Sequence, residues 1–144
     1  MRTNICGTSL SSYSRTIIAV IPEALRAVLK SVTKYTDNIG NSSGANAVTA
    51  TTDYFFLLSE FEVFGRISYG NTNEKNKQAQ YAYYSAGNSK VKYKHNGTST
   101  AAYWWLRSPI AGFSEYFVGV TPNGTNDFDS FAHYSLGFAP GFCV

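Results

Sequence analysis

Charge is scarce in this 144-residue chain: 15% of its residues are Asp, Glu, Lys or Arg, against about 25% in ordinary globular proteins. Low charge together with 16% aromatic residues excludes most disordered chains. Cysteine is nearly absent. Cys6 and Cys143 stand near opposite ends, which is no metal-binding spacing, and pairing is open to them although the composition favours two reduced thiols. Histidine is equally rare, and neither His95 nor His133 falls in an HxxxH or HxH pattern. No apolar run approaches the ~20 residues that span a bilayer. The weak apolar stretch at 17–21 is too short and too late for a secretory signal. A phosphate-cradling glycine loop is also missing, and Ser108 lacks the GxSxG surroundings of a nucleophile elbow. Glu60 and Glu62 stand two apart on an expected helix and so point to different faces. Asp127 and Asp129 lack the glycine and glutamate of a calcium loop. These absences predict a protein that is no enzyme and needs neither metal nor cofactor.

The most telling absence is local. All 12 Lys and Arg lie in residues 1–109, with six of the nine acids. Residues 110–144 hold only Glu115, Asp127 and Asp129. A basic body with an acidic end is not a nucleic-acid footprint. Lys90, Lys92 and Lys94 alternate with Val91 and Tyr93, as on the solvated face of a strand. The length fits one domain, and a chain of this size buries roughly 70% of its unfolded surface without disulfide or metal staples.

Periodicity predicts three helices and then strands. The first helix is expected at 22–30, with Pro22 opening it and Ile21, Leu25, Val28, Leu29 and Val32 forming a stripe that brings Lys30 and Lys34 to its C-terminal end. A small-polar loop covers 37–50. The second helix is expected at 53–64, capped by Thr52 or Asp53 and ended by Gly65, and the third at 74–86, stopped by Gly87. Strands are expected at 90–95, 103–106 and 116–120, with an extended segment at 138–144. Asn96-Gly97 and Asn123-Gly124 are turn pairs. The class is α+β, short helices followed by a small, mostly antiparallel sheet.

Residues 110–136 stand apart. They read IAGFSEYFVGVTPNGTNDFDSFAHYSL, without Lys, Arg, Gln, Met or Trp, and alternate only at 116–120. Phe113, Tyr116, Phe128, Phe131 and Tyr134 sit among Ser, Asn, Gly and Asp. Antibody paratopes mix rigid aromatic anchors with adaptable small polar residues in the same way.

This stretch is framed by Trp104-Trp105-Leu106-Arg107-Ser108-Pro109 before it and Gly137-Phe138-Ala139-Pro140-Gly141-Phe142-Cys143-Val144 after it. WWLRSP, a variable stretch with an NG turn, and GFAPGFCV resemble the variable proteins of diversity-generating retroelements. More narrowly, they resemble a phage and prophage family of gut bacteria filed as a domain of unknown function. Weaker likenesses extend upstream, in Pro22-Glu23-Ala24-Leu25, Lys34-Tyr35-Thr36-Asp37-Asn38, Leu57-Leu58-Ser59-Glu60, Val63-Phe64-Gly65 and Gln80-Tyr81-Ala82-Tyr83-Tyr84.

The resemblance implies a C-type-lectin-like fold in a single domain over 1–144, or the C-terminal part of one. Relatives usually carry a longer N-terminal half, in which a Met-Arg pair like Met1-Arg2 stands internally. Residues 1–109 would be scaffold and 110–136 the variable ligand-binding region. In such proteins a reverse transcriptase randomises template adenines. From an AAC codon this reaches 26 of the 27 residues in 110–136, all but Glu115.

The family pattern carries ligand binding to Ile110, Gly112, Phe113, Glu115, Tyr116, Gly119, Thr121, Asp127, Phe128, Asp129, Phe131, His133, Tyr134 and Leu136. Trp104, Trp105, Leu106, Phe117, Val120, Phe138 and Phe142 would form the fixed core, with Arg107 pairing a carboxylate or loop carbonyls beneath. The implied function is receptor recognition on a phage tail or bacterial surface. The partner would be a protein or glycan of a host or neighbouring cell, with no nucleic acid bound and no membrane insertion. The alternatives are a structural virion protein and a small enzyme. The latter requires His133, Glu115 and Asp127 to converge in a cleft.

Overall fold

The computed structural model describes residues 21–40 and 42–144, apart from the side chain of Asp129. Cys6, Asn41 and nearly all of the 17–21 apolar stretch lie outside the described residues. The fold is mixed α+β, with short helices and small antiparallel sheets. Among the described residues no helix is long and apolar enough to cross a membrane.

The expected helix at 22–30 is a single turn, α1 (Glu23–Arg26), and buries none of its residues. A helix this short is held by packing rather than propensity, and its stripe has little to pack on: Val28 is half exposed. The chain instead extends through Lys30, which bridges Cys143, into β1 (Val32–Asp37). Lys34 therefore belongs to a strand, not to a helix end.

β1 pairs antiparallel with β2 (Val48–Asp53), Val32 opposite Asp53 and Asp37 opposite Val48. The Asp37 carboxylate holds the connecting loop by accepting the Ile39, Gly40 and Ser42 N–H groups. The β-branched Thr49, Thr51 and Thr52 favour the strand, which removes the expected start of the second helix. That helix is only α2 (Glu60–Phe64), opened by a reciprocal Ser59–Glu62 capping box and closed by Gly65 at φ 66°.

The third expected helix splits into a 3-10 turn at Thr72–Asn76 and a single turn, α3 (Ala82–Ser85). Between them the chain is recruited elsewhere: Gln78 Nε2 donates to the Tyr35 carbonyl, and the Tyr81 N–H donates to the Glu62 carbonyl.

The second half follows the sequence more closely. β3 (Lys92–Lys94) and β4 (Gly97–Ala102) form a hairpin whose turn is His95-Asn96; Gly97, expected in the turn, opens β4 and pairs with Lys94. β5 (Trp104–Pro109), β6 (Tyr116–Val120) and β7 (Asn126–Phe131) form an antiparallel meander in that order. β7 was not expected, because its sequence NDFDSF scarcely alternates in polarity. The core gathers beneath the meander from Val63, Tyr84, Trp104, Leu106, Ile110, Val118 and Val120. The Trp104 indole N–H donates to the Lys90 carbonyl, satisfying its one polar atom.

The C-terminal segment is stitched down at single residues. Gly137 bridges Trp104, Gly141 bridges Phe56 and Cys143 bridges Lys30. The first two require glycine. A Cβ on Gly137 would stand 2.8 Å from the Tyr103 carbonyl oxygen, and one on Gly141 would stand 2.6 Å from the Phe56 ring. The flanking Phe138 and Phe142, expected in the core, are 48% and 46% exposed. Cys143 carries no disulfide among the described residues.

Candidate functional site

β5 carries two chemistries on one strand. Its lower side holds a buried polar network centred on Arg107. Arg107 Nη1 donates to Glu62 Oε2 at 2.5 Å and to the Leu57 carbonyl at 2.7 Å. Nε donates to Thr36 Oγ1 at 2.8 Å and Nη2 to Gln78 Oε1 at 2.7 Å. The other Glu62 oxygen accepts from Lys34 Nζ at 2.8 Å. Burial works to raise the Glu62 pKa. It is outweighed by the Arg107 charge and hydrogen bond and by bonds from Lys34 and the Ser59 N–H, so the carboxyl lies below its ordinary value.

Ser108 continues the network. Its hydroxyl accepts from the Glu60 N–H at 3.0 Å and donates to Glu74 Oε2 at 2.6 Å. Burial is the leading influence on Glu74 and raises its pKa in spite of the bonds from Ser108 and the Asp37 N–H. The Glu60 carboxylate accepts from the Ser68, Tyr69 and Gly70 N–H groups and from Asn126 Nδ2, tying the 68–70 turn to the start of β7. Glu60 and Glu62 thus serve different partners, as their spacing implied. Every buried polar side-chain atom among the described residues has a hydrogen-bond partner. The network ties β1, α2 and the 68–76 turns to β5.

A hollow of about 350 Å³ opens above this network, lined by Lys34, Glu62, Gln78 and Tyr81 among others. Its Lys34 ammonium is already bound by Glu62 and the Tyr81 hydroxyl, 2.7 Å away, and lies over the Phe56 ring. Among the described residues no group of three or more His, Cys, Asp or Glu is placed to hold a metal ion.

Away from this network, the β5–β6 turn and the end of β7 assemble a surface of rings. Phe113 meets Tyr116 edge-on at 5.9 Å, and Tyr116 lies 4.2 Å from Phe131. Phe131 in turn touches His133 at 5.2 Å and Tyr134 at 5.3 Å. Backbone bonds fix the ledge: the Ile110 N–H to the Tyr116 carbonyl, the Ala132 N–H to the Glu115 carbonyl, and the Tyr134 N–H to the Phe131 carbonyl. Gly112 turns the chain at φ 88°. Phe113 is 59% exposed and Tyr134 46%. Tyr116 and Phe131 are half-buried bases for them. A cleft of about 210 Å³ lies beside Phe113, lined by Gly112, Phe113, Ser114, Glu115 and Tyr116.

The fourteen expected contact residues do not form one surface. Gly112, Phe113, Glu115, Tyr116, Phe131, His133 and Tyr134 come together at the ledge. Phe128 is exposed but packs on Tyr69, at 5.6 Å. Two expectations are corrected. Ile110 is 5% exposed and belongs to the core. Gly119 is buried within the meander, where a Cβ would stand 2.7 Å from Ser130 Oγ. Thr121 shapes the Asn123-Gly124 turn through its hydroxyl. Asp127 pairs opposite Gly119, four residues along β7 from Phe131, about 13 Å away. Leu136 is half-buried beside Gly137, and the Asp129 side chain lies outside the described residues.

The buried acids Asp37, Glu60, Glu62 and Glu74 were not singled out as a set, since nothing in their spacing announces common burial. The one usable signal was Ser59-x-x-Glu62, the capping-box pattern.

A family profile described as Domain of unknown function (DUF6273) matches residues 10–144. The chain belongs to this family. The match takes in both the network and the ledge, so each is part of one DUF6273 domain. No curated protein and no solved structure matches the chain.

Proposed function

We propose that this DUF6273 domain is a recognition module rather than an enzyme. In this reading it is a C-type-lectin-like variable protein of a diversity-generating retroelement. It is displayed on a phage tail or bacterial surface and binds a receptor of a host or neighbouring cell through the ring ledge. It takes no cofactor, binds no nucleic acid and does not insert into membranes. The lectin-like part rests on the WWLRSP and GFAPGFCV resemblance, and the mixed α+β fold with small antiparallel sheets accords with it.

One observation carries the reading. The ledge rings stack on one another and on solvent, while the strands beneath are held by Arg107, Ser108 and Glu60. A surface that changes sequence must not hold the fold, and here the two tasks fall largely to different residues, Tyr116 being the ledge ring that also packs against the core.

The decisive experiment reads the flanking DNA. The expected result is a near-copy of codons 104–144, differing mainly where the copy has adenine, beside a reverse transcriptase gene. Differences spread evenly over all four bases overturn the retroelement reading.

A further inference from the structure

We propose that the hollow beside β1 binds a small molecule through an oxyanion, a carboxylate or phosphate group. The hollow is lined by scaffold residues alone, so this site is separate from the ring ledge and does not depend on the recognition reading.

The charges around the hollow do not balance. Two buried cations, Lys34 and Arg107, share one carboxylate, Glu62, and these are the two ion pairs among the described residues. Glu74 also feels the Arg107 charge, but burial raises its pKa and weakens it as a counter-ion. The Asp37 carboxylate accepts three N–H groups of its own loop. That of Glu60 is taken by the 68–70 turn and Asn126. Residues 1–20 contain neither Asp nor Glu, so they add no counter-charge. Lys77 brings a further cation to the wall. Positive charge that is only partly matched and shielded from water draws an anion.

The donor that meets the anion is Tyr81. Its oxygen accepts from Lys34 Nζ at 2.7 Å, and the phenol keeps its own proton to give. A bond received from a cation polarises the phenol and strengthens the next bond in the chain. Lys34 is otherwise occupied by Glu62 and the Phe56 ring, so its charge reaches the guest through Tyr81. A cationic guest finds no equivalent partner. One Glu62 oxygen accepts from Lys34, the other from Arg107 and the Ser59 N–H. At about 350 Å³ the hollow falls within the roughly 300–1,000 Å³ of small-molecule sites, and Tyr35 and Tyr81 supply apolar wall for the body of the guest.

The test titrates the isotope-labelled 144-residue chain with citrate and, separately, with inorganic phosphate, at constant ionic strength, and follows its amide resonances by NMR. The expected result is saturable shifts at Gln78, Gln80 and Tyr81 with at least one of the two anions, and the one that binds more tightly names the group. Tyr81→Phe should weaken that binding about tenfold and Lys77→Ala about threefold, while Phe113→Ala on the ledge leaves it unchanged. Where Tyr81→Phe disturbs folding, Lys77→Ala carries the test, because Lys77 is exposed. Spermidine, as a cationic probe, should cause no saturable shift at these residues. Failure of both anions to shift them saturably overturns the proposal. So do shifts spread evenly over the exposed lysines, binding indifferent to Lys77→Ala, binding lost in Phe113→Ala, and spermidine binding as tightly as the anions.

Discussion

Two regions of the molecule, the Arg107 network beneath β5 and the ring ledge at the β5–β6 turn, handle polar and aromatic groups in opposite ways. In the first, Arg107, Lys34, Glu62, Ser108, Glu74 and Glu60 are buried, and their bonds reach β1, α2 and the turns at 68–70 and 72–76. In the second, Phe113, Tyr116, Phe131, His133 and Tyr134 contact mainly one another, and several are open to water. Beside the apolar core, then, one region buries charged and polar groups while the other exposes aromatic ones, each against the common tendency of its residue types. Directional bonds to fixed partners tolerate little change, because one missing partner strands a buried charge. Ring-on-ring contacts are tolerant, since one large residue can replace another without leaving an unpaired group.

The largest expected effect comes from the network. Arg107→Met should leave Glu62 without its main partner and cost about 3–5 kcal/mol, read as a loss of unfolding free energy in urea. A loss under 1 kcal/mol would show that the network is dispensable. Next come two positions outside the network. Tyr116 packs against the core from the ledge, so Tyr116→Ala should cost about 1–3 kcal/mol. Gly137→Ala, which presses a Cβ on the Tyr103 carbonyl, should cost a similar amount, about 1–3 kcal/mol.

A pH series sharpens the picture of the network. Glu62 lies below its ordinary 4.5, so its contribution is present above that value and is lost as pH falls through its lower folded-state pKa. Glu74 lies above 4.5, so its contribution is full below that value and is lost as pH rises through its raised folded-state pKa. Tm measured against pH should therefore show Glu74→Gln gaining on the wild type as pH rises from 4.5 toward neutrality. A constant difference would mean that burial does not raise the Glu74 pKa. The smallest effect belongs to the outer rings. Phe113→Ala and Tyr134→Ala should change stability by less than about 0.5 kcal/mol, yet weaken ligand binding by about 2 kcal/mol where they are anchors. A large loss of stability in either would place that ring in the core and erase the contrast between the two regions.

Local signals were the legible ones. β6, the Asn123-Gly124 turn, and the stops at Gly65 and Gly87 follow from neighbouring residues, while the first hairpin turns one residue earlier than Asn96-Gly97 suggested. The need of Arg107 for a carboxylate and loop carbonyls beneath was also readable, because a charge inside an apolar strand demands it. The long helices were not, since Phe55, Leu58, Phe61 and Val63 fit a helical stripe equally well although the first two lie in the loop after β2 and only the last two in α2. Pairing with β1 across the intervening loop decided that, and periodicity carries no information about it. At the site, composition identified the ledge rings. It missed Ile110 and Gly119, which share the stretch but face inward. Phe138 and Phe142 look like core residues in sequence, yet each follows a glycine whose backbone presses on the scaffold, and in extended chain the next side chain points the other way.

The stitch at Gly137 has a consequence for how the chain can be rebuilt. The Gly137 N–H donates to the Tyr103 carbonyl, and the Trp105 N–H donates to the Gly137 carbonyl. The chain therefore leaves and re-enters the scaffold at one doorway, with residues 106–136 as the excursion between. A length change in such a closed excursion costs only logarithmically in chain entropy, so the Thr121–Thr125 turn, whose residues are solvent-facing or half-buried, is the natural place to splice in foreign sequence. The doorway itself is two backbone hydrogen bonds; proline at either donor position would remove one, and a Cβ at position 137 would press on the Tyr103 carbonyl oxygen, so Gly137 must be kept. The excursion is in that sense a cartridge, and its socket is three residues wide.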